Sequence, residues 1–454
     1  MSKKDITRRD FMKAGLSCLM GAAVNVGAAQ RFPEKISGKN VSRTSLKELT
    51  AIPTTCEQCP AGCGVIAYLD GDRLVQILGN PKHPNNRGGI CAKGIAGVNL
   101  ANDPERLLYP LKREGRRGEG KWVQITWDEV YHTLAERLSV LSAKGRLDEF
   151  VWDKCQDDPL LDRFLFHLGI DSIIDRPTLK NWNHAAAMQA MIGQSFLIED
   201  VAHSRMILNF GANPFANHDR FIALARRLVQ ARTEKGAQLI TFDVRMSETA
   251  AKSDVWHPLR AGTDGIIALA MAKVILERGL IDTGFLKNRT DTSPDLLQQH
   301  LSPYTLEKAE KESGVSAPVI QELAIAFATQ KPSVAIAGGG ITDHENGIAG
   351  VGCVALLNWI VGNLEEKGGL FSPRLLTQAL VPPRSQEYSP AQAQKNLSSI
   401  RGLPAIDRKI DTYFLWAANP AYTDPENAET NALLQDESAI PFLAVMDTHL
   451  TETA

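Results

Sequence analysis

The sequence predicts an α/β protein: a small cysteine-bearing domain near the N-terminus, then doubly wound parallel sheets. Three observations carry that prediction. Cys56, Cys59, Cys63 and Cys91 are confined to one glycine-rich stretch. Downstream, short β-branched apolar runs alternate with long amphipathic segments, the rhythm of parallel strands joined by helical crossovers. A strand running into a small-small-Asn-Pro turn occurs twice, as Leu208–Pro214 and Leu415–Pro420.

Gly64–Leu69 and Arg73–Leu78 read as a hairpin about the Asp70-Gly71-Asp72 turn. After Trp122, Thr126 is a cap-like start to a segment of helical period. Strands are expected at Met206–Phe210, Gln238–Phe242 and Ser333–Ala337, and helices at Arg220–Arg232, Ile266–Glu277 and Gly350–Val361. Ligands of open α/β sheets lie at the carboxyl ends of the strands. The two Asn-Pro turns therefore suggest two similar nucleotide-binding halves.

The cysteines follow C-x2-C-x3-C-x27-C. Pro60, Gly62 and Gly64 permit the tight wrapping that brings three thiols together, and Gly88, Gly89 and Gly94 flank the fourth. Four thiolates so spaced suit a [4Fe–4S] cubane, one sulfur per iron. A four-cysteine zinc site and two disulfides are the other readings. The C-x3-C step departs from the paired C-x2-C spacing usual for zinc. Cys155 and Cys353 read as buried small hydrophobes.

Residues 1–30 hold Thr7-Arg8-Arg9-Asp10-Phe11-Met12-Lys13 ahead of a mildly apolar stretch ending in small residues. Twin arginines in that setting read as a Tat export signal, which implies a periplasmic protein. Cys18 falls inside this signal. Residues 31–50 form a polar leader, 51–110 the cysteine domain and 111–454 the α/β body. The formal charge of −2 points away from nucleic acid as a partner. No later apolar run reaches the roughly 18 residues of a membrane span.

Further motifs are N-D-P-E-R-L-L-Y-P-L (102–111), W-x-x-I-T-W-D-E (122–129), F-D-V-R-M-S-E-T-A-A-K-S-D-V-W-H-P-L-R-A-G-T-D (242–264), and G-G-G-I-T-D-H-E-N-G with N-W-I-V-G-N-L-E-E-K-G-G (338–369). With the C-A-K-G that closes the cysteine segment, they make the chain resemble the large subunit of the molybdopterin oxidoreductases. Within the dimethyl-sulfoxide-reductase family it is most similar to the polysulfide/thiosulfate-reductase-like branch. The resemblance implies a small [4Fe–4S] domain and Rossmann-like molybdopterin-binding domains. It also implies a molybdopterin guanine dinucleotide cofactor with Mo or W, and oxidoreductase activity on a small inorganic or sulfur compound. A ferredoxin-like iron–sulfur subunit and a membrane quinone-interacting subunit are the partners it implies. Lys93 would lie between cluster and pterin, its cation stabilising an added electron. Asp243 would grip a ribose or base edge, Arg245 a phosphate, and Gly262, Thr263 and Asp264 the guanine. Asn213 would close on the dinucleotide at the first turn.

Two features depart from the family. Members tie the metal through a Cys, selenocysteine, Ser or Asp, and Trp182, which cannot ligate, stands at the matching place. Asp175, Thr178 and, more distantly, Cys155 are the substitutes within reach. The chain also ends at D-T-H-L-T-E-T-A, where members continue through the second nucleotide domain into a C-terminal β-barrel, so that domain is expected to be incomplete and the barrel absent. A cofactor-less electron-relay or scaffold subunit of a quinone-linked complex is the alternative function.

Overall fold

The computed structural model describes residues 48–155, 158–176, 182–373 and 409–454. Two compact units divide the chain, Met1–Thr50 and Ala51–Ala454, and only residues 48–50 of the first are described. The export signal and most of the polar leader thus lie outside the described residues. None of the described helices is long and apolar enough to cross a membrane.

A three-stranded sheet opens the second unit: β1 (Thr50–Thr55), β2 (Gly64–Asp70) and β3 (Arg73–Gly79), with β2 and β3 antiparallel. Helix α1 (Ala92–Ala101) follows, then an antiparallel pair, β4 (Leu111–Arg113) and β5 (Trp122–Gln124). Helix α2 (Trp127–Ala143) starts where Thr126 Oγ1 accepts from the Glu129 amide at 3.2 Å. Asp128 and Glu129 in its first turn complement the helix dipole. The body continues through β6 (Phe150–Lys154), α3 (Pro159–Leu168), β7 (Ile173–Asp175), α4 (Trp182–Ile192) and β8 (Ile198–Glu199). Next come β9 (Met206–Phe210), α5 (Phe221–Lys235), β10 (Gln238–Asp243), β11 (Val255–Pro258) and α6 (Asp264–Glu277). Four short helices, α7 (Thr283–Arg289), α8 (Pro294–Leu301), α9 (Leu306–Ser313) and α10 (Ala317–Thr329), lead to β12 (Ser333–Ala337) and α11 (Gly347–Ile360). The chain closes with β13 (Leu370–Phe371), β14 (Thr412–Trp416), α12 (Pro420–Thr423), α13 (Asn427–Gln435) and β15 (Phe442–Met446).

Two four-stranded, wholly parallel sheets organise the body. The first has the order β11-β10-β9-β12, and every residue of β9 is buried, as a sheet covered on both faces requires. The chain steps from β9 to β10 to β11, then returns past β9 to β12. Right-handed crossovers therefore put α5 on one face and α6–α10 on the other. The reversal creates a topological switch point between β9 and β12, where a ligand crevice forms. The second sheet has the order β15-β14-β6-β7, and its reversal falls between β6 and β14. The predicted doubly wound architecture is thus present, in two copies.

The repeated turns match in backbone. The Gly211 amide bonds Phe242 O at 3.0 Å, and the Ala417 amide bonds Met446 O at 3.0 Å. Both residues have positive φ, +68° at Gly211 and +51° at Ala417. A Cβ at Gly211 would stand 3.0 Å from the Ile341 amide and 3.2 Å from Gly338 O, so only glycine fits there. Ala417 carries a left-handed conformation that costs an L-residue roughly 1–2 kcal/mol. Substituting Ala417→Gly should therefore raise stability by about 0.5–1 kcal/mol after the entropy of the added glycine is subtracted. Gly211→Ala should lower the thermal unfolding midpoint, and a shift in the same direction for both variants would contradict the equivalence of the turns.

Candidate functional site

Two backbone loops and one helix end build the cysteine cage. The first loop is closed by the Cys56 amide donating to Cys63 O at 2.8 Å. The second runs over Asn80–Gly89 and hands Cys91 to the N-cap of α1. Asn86, only 1% exposed, clamps the loops together. Its Oδ1 accepts from the Gly64 amide at 3.0 Å, and its Nδ2 donates to Gly64 O at 2.9 Å and Gly89 O at 2.6 Å. A Cβ at Gly94 would stand 3.3 Å from Cys56 Sγ, so the bare glycine lets that sulfur lie against the first turn of α1. Free helix amides and the absence of acidic side chains in that turn favour thiolate there.

All six described cysteines are free, which removes the disulfide reading. Burial first, then the charges of Cys56, Cys59 and Cys91, push the Cys63 thiol above its ordinary value. The four sulfurs therefore share one electrostatic environment, and four thiolates side by side require a cationic centre. Among the described residues no three His, Cys, Asp or Glu side chains converge on a single ion. A cubane, whose irons take one thiolate each, suits four thiols on the C-x2-C-x3-C-x27-C spacing. Lys93 is exposed in the first turn of α1, on the cage's rim.

The first cleft lies outside the carboxyl ends of β9 and β10. Asn213 Oδ1 accepts from the Thr249 amide at 3.2 Å and from Thr249 Oγ1 at 2.7 Å, while its Nδ2 donates to Glu248 at 2.8 Å. The second cleft repeats this knot. Asn419 Oδ1 accepts from the Thr453 amide at 3.1 Å and Thr453 Oγ1 at 2.8 Å, and its Nδ2 donates to Glu452 at 2.6 Å. Each threonine hydroxyl also accepts a backbone amide, Phe215 at 3.2 Å and Ala421 at 3.1 Å. The asparagine amide holds each glutamate carboxyl below the usual carboxylate range.

Asn213 has its Oδ1 held by Thr249 and spends one of its two Nδ2 donors on Glu248. It shapes the cleft floor. Asp243, at the end of β10, accepts from Ser247 Oγ at 2.7 Å and from the Arg245 amide at 3.2 Å, and the Arg245 side chain is exposed at the mouth. Gly262, Thr263 and Asp264 follow β11. Thr263 Oγ1 donates to Arg260 O at 2.5 Å, so the hydroxyl holds the loop. Asp264 is 4% exposed, and burial pushes its carboxyl up to about 6, with Asp243 adding to the rise and His344 opposing it.

Trp182 begins α4 with its indole 48% exposed. Asp175 pairs with Lys154 at 3.4 Å and is spoken for, and Thr178 lies outside the described residues. Cys155 lies at the second switch point, where its amide donates to Trp416 O at 3.1 Å. The clamp Asn86 and the partners Thr249, Glu248, Thr453 and Glu452 were not singled out from sequence. The signal for Glu248, Thr249, Glu452 and Thr453 is the recurrence of S-E-T-A (247–250) as T-E-T-A (451–454).

A sequence profile of the molybdopterin oxidoreductase family matches residues 106–454, and a profile of the molybdopterin oxidoreductase Fe4S4 domain matches residues 49–103. The chain belongs to the molybdopterin oxidoreductase family. It is 30% identical to the thiosulfate reductase molybdopterin-containing subunit of Salmonella typhimurium, over 81% of this chain and 48% of that protein. It is 28% identical to the F420-dependent formate dehydrogenase subunit alpha of Methanocaldococcus jannaschii, over 90% and 63%. With the menaquinone reductase molybdopterin-binding-like subunit of Nitratidesulfovibrio vulgaris it shares 26% identity over 93% and 58%. Acetylene hydratase from Pelobacter acetylenicus superposes with a TM-score of 0.61 at 27% identity, covering 68% of this chain and 43% of that one. The chain thus spans about half to three-fifths of the length of these relatives. The family's cofactors are a [4Fe–4S] cluster and a molybdopterin, and the thiol cage and paired clefts fit them.

Two outcomes follow from this geometry. Asn86→Ala should leave a folded body but cut iron retention in anaerobically purified protein severalfold, read by metal analysis beside circular dichroism. For Asp264, the folded pKa lies above its unfolded value near 3.8, so stability is gained on acidification and lost as pH rises through about 6. Asp264→Asn should flatten this dependence and raise the unfolding midpoint of cofactor-free protein at pH 7; an unchanged slope between pH 4 and 7 would contradict it.

Proposed function

We propose that this chain is the catalytic-type subunit of a Tat-exported, periplasmic molybdopterin oxidoreductase acting on a small inorganic or sulfur compound. Electrons would pass between a [4Fe–4S] cluster and a bis-pterin-guanine-dinucleotide centre of molybdenum or tungsten. The carrying observation is the duplicated knot: two clefts of one build, each at a switch point, answer to two copies of one dinucleotide-like ligand. The twin-arginine segment supports export, and the thiosulfate reductase relative supports a sulfur compound.

When bound, the cluster supplies single-electron transfer and the metal centre two-electron chemistry with the substrate. Cys56, Cys59, Cys63 and Cys91 hold the cluster, with Asn86 bracing their loops. Lys93 places a cation at the cage rim, where it stabilises the reduced state. Asp264 accepts N–H groups of the guanine, Asp243 grips a ribose or base edge, Arg245 a phosphate, and Asn213 and Asn419 keep the cleft floors in shape. A ferredoxin-like subunit and a membrane quinone-interacting subunit complete the electron path.

A second reading, an electron-relay or scaffold subunit without metal catalysis, is favoured by Trp182 at the family's ligand position and by the menaquinone reductase relative. Metal analysis of anaerobically purified protein, with acid release of GMP, separates the two. About four irons with molybdenum or tungsten and GMP is the expected result. Four irons without GMP would transfer the function to the relay, and protein with no iron would remove both.

A further inference from the structure

His83 lies in the second cage loop, Asn80–Gly89, and takes no part in the clamp made by Asn86. Its backbone is committed within that loop, the amide donating to Asn80 O at 3.1 Å and the carbonyl accepting from the Arg87 amide at 3.0 Å. The same turn that delivers Cys91 therefore fixes where this side chain starts. A Cβ on Gly64 would run into the His83 ring, so the imidazole lies directly on bare backbone one residue past Cys63. Cys63, 7% exposed, is the most buried of the four cage cysteines. The ring Nδ1 of His83 is shut off from solvent and has no hydrogen-bond partner among the described residues. Buried polar atoms without a partner are rare in folded proteins, and they mark places where a bound group supplies one.

We propose that His83 sets the reduction potential of the [4Fe–4S] cluster by donating its Nδ1–H to a sulfur beside Cys63. The inference rests on the cluster reading given above. A protonated ring nitrogen needs an acceptor, and a bare one needs a donor. Two carbonyls packed around this loop already carry two donors each and are full. Gly64 O accepts from the Asn80 amide at 2.8 Å and from Asn86 Nδ2 at 2.9 Å, and Asn80 O accepts from the His83 and Gly88 amides. Donors are spent as well, since the Gly64, Arg87, Gly88 and Gly89 amides are each bonded elsewhere. Thiolate and sulfide are acceptors, so a bound cluster satisfies the protonated form of this nitrogen and not the bare one. Such a bond strengthens as the sulfur gains negative charge, and it therefore favours the reduced cluster. Lys93 stands exposed on the rim, where salt screens its charge. The His83 N–H lies out of water, where a hydrogen bond is stronger.

The test is a redox titration of the anaerobically purified full chain, followed by the paramagnetic signal of the reduced cluster. His83→Phe keeps a ring but has no donor. It should lower the ratio of reduced to oxidised cluster at a fixed potential about tenfold, which is a fall of about 59 mV in midpoint for one electron. His83→Asn, whose amide can place an N–H where Nδ1 stands, should recover part of that loss, with about four irons retained in both variants. Wild-type protein carrying nitrogen-15 histidine should show a nitrogen coupling to the reduced cluster that disappears in His83→Asn. An unchanged midpoint in iron-loaded His83→Phe, or equal falls in the two variants, would overturn the donor role while leaving the cluster reading intact. Should neither variant retain iron, the wild-type spectrum decides, and a reduced cluster without nitrogen coupling would overturn the same role. Wild-type protein that holds no iron would overturn the cluster reading and the inference with it.

Discussion

Strand ends in a parallel sheet leave backbone amides and carbonyls unpaired on one edge, and each must find a partner or remain in water. In this chain one side chain answers that constraint in each half. The carboxamides of Asn213 and Asn419 take a backbone amide and a hydroxyl from the same threonine, and that threonine accepts another amide from beyond the Asn-Pro turn. The turn after β9 is thereby locked to the segment after β10, and the turn after β14 to the segment after β15. A cleft whose floor is closed by its own hydrogen bonds needs little ordering when a ligand arrives, which removes part of the entropic cost of binding. The same asparagines hold the neighbouring Glu248 and Glu452 carboxyls below the usual carboxylate range.

The two halves are alike in backbone and unlike in charge. Where β12 carries Ile336 and Ala337 beside β9, β6 carries Asp153 and Lys154 beside β14. Asp153 is fully buried and meets Arg176 through two 2.7 Å bonds, while Arg176 reaches Asp424 at 2.7 Å and Tyr413 donates to Asp153 at 2.5 Å. Burial pushes Asp153 up, and the arginine opposes it. Such a network is weak as a source of net stability but costly to leave incomplete. Its consequence is geometric: β6, the residue that follows β7 and Asp424 beyond β14 are tied together at one guanidinium. The first half joins its strand ends through the glycine-rich segment after β12, with the Gly338 amide on Phe210 O and Asn346 Nδ2 on Gly262 O.

Legibility followed the range of the interactions. The hairpin about Gly71, the helix capped by Thr126 and the strands β9, β10 and β12 depend on local turn chemistry and on apolar runs, and each was readable within a few residues. The cage was readable because four thiols at short spacing have few alternative uses. By contrast β6 and β7 carry little local signal. Their F-V-W-D-K and I-I-D carry charges where a buried strand is expected to be apolar, and those charges are met by Asp162, Arg176 and Tyr413 on other elements. Asn86 was hidden for the same reason, since its partners Gly64 and Gly89 meet only once the loops fold. At Asn213 the Asn-Pro turn signals a strand end, and nothing local says where the carboxamide bonds.

The same distinction bears on how the cage relates to the clefts. Gly89 packs against Ile222 and Arg226 of α5, an element of the first half. The linker leaving α1 donates from the Leu107 amide to Thr448 O at 2.8 Å, just past β15 in the second half, and Asp103 stands 3.6 Å from His449 Nε2. The cage is therefore braced by both halves and cannot move against one cleft without straining its hold on the other. Lys93 belongs to the first turn of this braced helix. A redox centre that must exchange electrons with a ligand held between two clefts gains from such bracing. Preorganised charge stabilises a transferred electron without reorganisation only if the scaffold does not relax when the electron arrives.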